Sequence, residues 1–403
     1  MPNQTPQQSL HAAVVEHAPY RASLAMQEEF VIPFGLALQA TASQIGVLST
    51  LPRLVAALGQ LVTPLLLSQF GGRRVLVASA LLGAVSFMGS ASVVLVPEAA
   101  RVWMLLLWSM LSMFFLELPH PAWGAWVSTL VPEARRGRYL AMRIGVGMPA
   151  AIGVFIVGGL FLDASSGGAL FAFAALFMAG AALRVVSALM LRRLHEPTRG
   201  RTLVRPSKLR ERVRELPGTT LGKFMLLSFL LHLGTWVASP YIGIHQLEEL
   251  EFSYLSYMAL VALYMLVIVA GMRFWGPFAD RFGNLAGIRI AAAGIIFVPL
   301  LWIPVQAPWH AVPAQMLGGL VWGCMMLCGL NYVYQASTRE NRAANVAIYN
   351  SLNGLGIFIG ATLGGMLQPY LAALGGASVF TMLLLVSASV RLVAVAGIWA
   401  LGS

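Results

Sequence analysis

The residues of this chain that can do chemistry are few, and they are ionisable groups set inside long apolar stretches. Glu28 and Glu29 interrupt the first stretch, and Arg53 lies mid-way along the second. Glu117 and His120 are three apart in the fourth, so a helix puts them on one face. A charge in an apolar medium is costly unless it is paired or wet, which makes each of these a functional candidate. Desolvation favours the neutral form of a carboxyl group, whereas a neighbouring guanidinium favours the ionised form. A Glu whose Arg partner withdraws therefore takes up a proton and gives it back when the Arg returns. Arg53 can meet the first helix at the depth of Glu28 and Glu29. Adjacent helical residues are about 100° apart, so both acids face a helix bundle only obliquely. The competing role is a static pair that pins two helices. His120 belongs to the side-chain type that titrates nearest neutral pH. It also stands between Pro119 and Pro121, where its role is either proton binding or service to a helix break.

Around these lie weaker candidates. Arg143 begins the fifth apolar stretch, and His232 is a lone histidine in the seventh. Trp123 and Trp236 can stack on an aromatic or lipophilic solute. Asn331 and Asn353 can add hydrogen bonds. Cys324 and Cys328 lie four apart and share a helical face; packing explains them better than metal or redox chemistry. No metal and no cofactor are expected.

The elements that carry these groups are membrane helices. Of 403 residues, 58% are apolar and only 10% charged, and the mean hydropathy is +0.78. Soluble domains run about 45–50% apolar and about 25% charged. A soluble enzyme, a disordered chain and a disulfide scaffold are excluded as readings of the whole. Twelve stretches are long enough to cross a hydrocarbon core, from Tyr20–Leu38 and Gln44–Leu67 to Ala377–Leu401. The fold class is all-α, twelve helices in two six-helix halves. The expected organisation is a cytoplasmic tail over 1–19, a first half over 20–191, a basic linker over 192–220 and a second half over 221–403.

The chain carries a net charge of +11. Nearly all of the surplus falls on alternate connections: Arg73 and Arg74, then Arg135, Arg136 and Arg138, then ten Lys/Arg between Arg192 and Lys223, then Arg281, then Arg339 and Arg342. The other connections hold Arg101 alone, against Glu98, Asp163, Glu248, Glu249 and Glu251. The rule that basic loops stay inside puts both termini in the cytoplasm. The linker is then an orientation signal that rests on anionic lipid, and no nucleic-acid partner is expected. The polar N-terminal residues lack the pattern of a cleavable signal peptide.

One loop is specific. Between the eighth and ninth stretches stands Gly276-Pro-Phe-Ala-Asp280-Arg281-Phe-Gly283. It resembles the G-x-x-x-D-R-x-G signature of the major facilitator superfamily, in its second-half copy. The first-half copy, around Ser68, Gly71 and Arg73, keeps the glycine and the arginines but has Ser68 where the acid belongs. The loop with Glu133 and Arg136, continuing to Arg143, also resembles that superfamily. The resemblance implies that Asp280 and Arg281 belong to a gate that holds the inner face closed. The first-half latch is weaker, or Glu133 carries it. Helices one, four, seven and ten would line the cavity, which brings Glu28 or Glu29, Glu117 and His120 to the translocation path. Arg184 and Arg391 recur at matching places in the two halves and are expected to snorkel at the periphery.

The function implied is proton-coupled secondary transport of a small organic solute by alternating access, in either direction. The expected partners are that solute, protons and the lipid bilayer. The protein is expected to be a monomer in a bacterial inner membrane. The rival is a receptor or assembly factor on the same scaffold. No phosphate-binding G-x-x-x-x-G-K-[ST] loop, His-Glu-x-x-His or nucleophile elbow occurs, so an ATP-driven pump and an enzyme are not expected.

Overall fold

The computed structural model describes residues 6–60, 62–120, 123, 130–131, 133–165, 168–194, 213–338, 341–375 and 378–401. Among these every regular element is helical. The α-helices are α1 (Pro6–Glu29), α2 (Val31–Ala37), α3 (Ala42–Gly59), α4 (Thr63–Phe70), α5 (Gly72–Ser92), α6 (Glu98–Glu117) and α7 (Glu133–Ala164). They continue as α8 (Ala169–Leu191), α9 (Thr220–Ile244), α10 (Tyr254–Phe282), α11 (Asn284–Trp302), α12 (Val312–Gln335), α13 (Arg342–Leu374) and α14 (Val379–Trp399). Ten helices among the described residues are long and apolar enough to cross a membrane. Large apolar side chains point outward from them, as with Val157 and Phe171, at 66% and 69% exposure. Such faces suit lipid and not water.

The first two expected spans are interrupted. α1 ends at Glu29 and α2 resumes at Val31, because Pro33 has no N–H to give the Glu29 carbonyl. The break falls where the two acids stand. α3 stops at Gly59 and α4 begins at Thr63. Helix α1 also starts earlier than the hydropathy suggests. Residues 6–19, read from the sequence as a polar tail, are helical, and Ser9, Glu16 and His17 among them are buried.

The chain forms two compact units, residues 1–41 with 51–203, and 42–50 with 204–403. In the first, α1 packs against α7 and α8, and α5 against α6 and α8. In the second, α9 packs against α13 and α14, and α11 against α12 and α14. The packing scheme repeats, but its chemistry does not. A Cβ on Gly356, Gly360 or Gly364 of α13 would run into the backbone carbonyls of Phe229, Leu233 and Val237 of α9. That interface is backbone against backbone, as small residues at every fourth position permit. On α7 the corresponding neighbours are side chains: Gly147 faces His17 and Arg21, and Gly158 faces the Phe30 ring. The α1–α7 interface therefore includes the polar side chains of His17 and Arg21.

The two signature loops share one backbone. Gly71 joins α4 to α5 with φ +83° and ψ 156°, and Gly283 joins α10 to α11 with φ +85° and ψ 156°. Only glycine adopts that conformation without strain.

Candidate functional site

The ionisable groups of the first unit form two linked sets around α1. At the break after Glu29, the Glu28 carboxylate lies 3.2 Å from an Arg53 guanidinium nitrogen. This is the pairing expected from depth alone. Glu29, on the next face, is half-buried and has no ion pair among the described residues.

Helix α6 ends at Glu117; Leu118 still has helical angles, and the interruption comes one residue later, where Pro119 has no N–H to give the Phe115 carbonyl. The Leu118 carbonyl accepts a hydrogen bond from the Thr63 hydroxyl at 2.9 Å. His120 projects from this break with both ring nitrogens engaged. Nδ1 is 2.9 Å from the Glu117 carboxylate, and Nε2 is 2.9 Å from the Tyr20 hydroxyl. In the neutral ring, Nδ1–H donates to Glu117 and Nε2 accepts from Tyr20. Glu117 also accepts from the Gln60 amide at 3.2 Å. Glu117 and His120 thus meet as their spacing predicted, and Tyr20 of α1 extends the chain.

The second set has Glu16 at its centre. Its carboxylate is almost wholly buried; one oxygen accepts from the Ser187 hydroxyl at 2.5 Å, and the other lies 4.0 Å from Arg143. Ser187 in turn accepts from Arg184 at 3.4 Å. The Arg184 guanidinium sits over the Tyr20 ring at 5.5 Å, and Tyr20 stacks on His17 at 5.6 Å. Arg143 lies 3.5 Å over the Trp123 ring, which stacks on Tyr139. Arg143, read with the gating loop, is therefore a member of a buried charge cluster. Arg184 does not snorkel; only 1% of it is exposed. Its counterpart Arg391 is 3% exposed and donates to the backbone carbonyls of Ile295 and Thr235. Hydropathy marks a helix but not which face is inside, so the peripheral placement of both arginines fails. Glu16 was missed because Pro6, the Gln residues and His11 made its surroundings look like a solvated tail. Its signal was the i, i+4 and i+5 spacing to Tyr20 and Arg21, which continues the helix upstream.

In the second unit, His232 Nδ1 contacts the Ser228 carbonyl at 2.8 Å, and its ring meets Trp322 edge-on at 5.1 Å. The Ser228 hydroxyl donates to the buried Asn353 at 2.9 Å, so His232 and Asn353 share a partner. Trp236 and Asn331 are half-buried on α9 and α12. The thiols of Cys324 and Cys328 lie 3.8 Å apart, and Cys324 donates to the Gly287 carbonyl; both are packing groups between α11 and α12. Among the described residues no three His, Cys, Asp or Glu side chains are grouped to hold a metal.

The gate residues are less engaged. Asp280 and Arg281 are exposed at the end of α10, with Arg281 over the Phe282 ring at 5.1 Å. Asp280 makes no ion pair among the described residues, and Gly276 and Arg73 are half-buried. The side chains of Ser68, Glu133 and Arg136 lie outside the described residues.

The family model described as Major Facilitator Superfamily matches residues 22–361 and again 224–402. The chain belongs to the Major Facilitator Superfamily. Solved members share its fold along nearly the whole length. The nucleoside transporter NupG aligns with a TM-score of 0.79 at 13% identity, over 99% of this chain and 100% of that one. A D-xylose–proton symporter aligns with a TM-score of 0.75 at 14% identity, over 97% of each chain. A bacterial homologue of the human lysosomal transporter Spinster aligns with a TM-score of 0.69 at 15% identity, over 98% of this chain and 94% of that one. A probable peptide/nitrate transporter of Arabidopsis thaliana is 28% identical over 97 residues, which is 24% of this chain and 20% of that protein. The chain thus matches about a fifth of that relative's length. The superfamily expected from the signature loops is the one found, and the protein is an integral membrane protein of that family.

Proposed function

We propose that the protein is a secondary active transporter that moves a small organic solute by alternating access and couples the movement to protons. Its twelve spans are the ten long helices with the broken pairs α1–α2 and α3–α4 counted as one each. Two six-helix halves, 20–191 and 221–403, are joined by a basic linker over 192–220. Both termini face the cytoplasm of a bacterial cell, across its inner membrane.

The observation that carries this reading is the chain Glu117–His120–Tyr20 in the same unit as the Glu28–Arg53 pair. A proton arriving at His120 turns Nε2 into a donor. Tyr20 must then accept where it had donated, while the Glu117 bond becomes charge-assisted and stronger. A proton arriving at Glu28 cancels its attraction for Arg53 and frees that helix contact. The first event reverses and strengthens bonds around the end of α6 and the second unties α1 from α3, and a change in which helices are tied is the requirement for linking a proton to a conformational change. That family members named for nucleosides and for D-xylose with protons share the fold supports a polar organic solute. The rocking of two repeats about a site near the midplane is the movement such folds use.

The test begins with the solute. Purified protein is screened by thermal shift against metabolites and drugs at two pH values, since a ligand that binds only the folded state raises the melting temperature. The hit is then followed in vesicles carrying Glu28→Gln, Glu29→Gln or Glu117→Gln. At least one of the three variants is expected to lose proton-driven flux while staying folded. Full pH-dependent flux in all three overturns the assignment of coupling to these acids.

A further inference from the structure

We propose that Glu16 is a second proton-binding site of the first unit, and that its protonation loosens α1 from α7 and α8. This deepens the proton-coupled reading and rests on it for its purpose, though not for its test.

The geometry is that of a latch with one negative member. Three helices meet at the Glu16 carboxylate. α7 offers Arg143 at 4.0 Å, and α8 offers the Ser187 hydroxyl at 2.5 Å with Arg184 behind it. Two guanidinium groups share one carboxylate, and the Nε atoms of both lack a partner among the described residues. While Glu16 is ionised it offsets part of their charge in a place where water does so little. Once it is neutral, both arginines are buried without a counter-charge. Removing one member of such a set is far more costly than never having built it. The helices then gain by parting and admitting water.

The other groups around Glu16 do not replace it. On α1 itself are His17, Tyr20 and Arg21. α7 adds Tyr139 beside Arg143, and α8 adds Arg184. Beyond Tyr20 stand His120 and Glu117. None of these besides Glu16 is an acid within reach of Arg143 and Ser187. His17 is the one other group there whose protonation could mimic the effect, and its Nδ1 is buried without a partner among the described residues.

Hydrogen–deuterium exchange on the whole protein in lipid nanodiscs reads this without any knowledge of the solute. Rates are corrected for the intrinsic chemistry and compared at neutral and mildly acidic pH. In the wild type, peptides covering α1 and the facing parts of α7 and α8 should exchange faster at the acidic pH. Glu16→Gln should exchange fast at both values, with the pH step gone. Glu117→Gln and His17→Gln should keep the step. Ser187→Ala removes a donor to the ionised carboxylate, so its step should move to higher pH; this variant decides the matter if Glu16→Gln does not fold. A wild type without a step, a step that survives in Glu16→Gln, a step lost in His17→Gln, or an unmoved step in Ser187→Ala overturns the proposal. Loss of coupling at Glu117 would leave these results standing, so the two readings fail separately.

Discussion

Tyr20 is the residue through which the two polar sets of the first unit touch. Its hydroxyl reaches His120, and its ring lies between His17 and Arg184. Tyr20→Phe keeps the ring contacts and removes only the hydroxyl. His120 is largely exposed, so water replaces the lost donor, and the stability cost should stay near or below about 1 kcal/mol. The functional effect should be larger, because the hydroxyl is the group by which α1 holds His120. Proton-driven flux in Tyr20→Phe should therefore fall at nearly unchanged melting temperature. Unchanged flux would remove Tyr20 from the proton path. Part of this site was legible before the fold was known. Glu117 and His120 followed from a three-residue spacing, and Glu28 with Arg53 from matched depth on neighbouring helices. Tyr20, Glu16 and Arg184 did not follow. A tyrosine among apolar residues gives no sign of its partner, and an acid among polar neighbours gives no sign of burial.

The helices differ between the units in how they touch. The α9–α13 contact has three glycines set against three backbone carbonyls, and nothing there can yield. Gly360→Ala forces Cβ into the Leu233 carbonyl and must push two backbones apart. Overpacking of that kind costs typically about 1–3 kcal/mol or more. Gly153 on α7 is the contrast, because a Cβ there meets nothing within 4 Å. Alanine at a helix-interior glycine stabilises by roughly 0.5–1 kcal/mol when space allows. Thermal unfolding of the two variants should move in opposite directions. A neutral Gly360→Ala would mean the contact is looser than the carbonyl positions require. At this scale the sequence was least informative about interruptions and about which neighbours the glycines of α7 and α13 meet, backbone or side chain. The breaks at Phe30 and near Gln60 were hidden, because hydropathy averages across a kink.

Taken as a whole, the molecule repeats its packing and divides its chemistry. The glycines at Gly71 and Gly283 have the same backbone angles, and Arg184 and Arg391 are buried at corresponding helices. Around Arg184 the first unit adds Glu16, and elsewhere Glu28, Glu29 and Glu117. Around Arg391 the second unit supplies the backbone carbonyls of Ile295 and Thr235 and the Tyr264 phenol, and no acid among the described residues. Among the described residues the second unit's acids are exposed, whereas the first unit has Glu16 buried and Glu28, Glu29 and Glu117 half-buried; under the proposed function the first unit carries the proton and the second offers His232, Asn353 and aromatic faces to the solute. The account is tested most directly by the proton movement that accompanies solute entry into proteoliposomes, followed by an external pH electrode with no imposed gradient. Wild type and His232→Gln are expected to move protons with solute, and Glu117→Gln to exchange solute without moving them. Proton movement retained in Glu117→Gln but lost in His232→Gln would contradict the account.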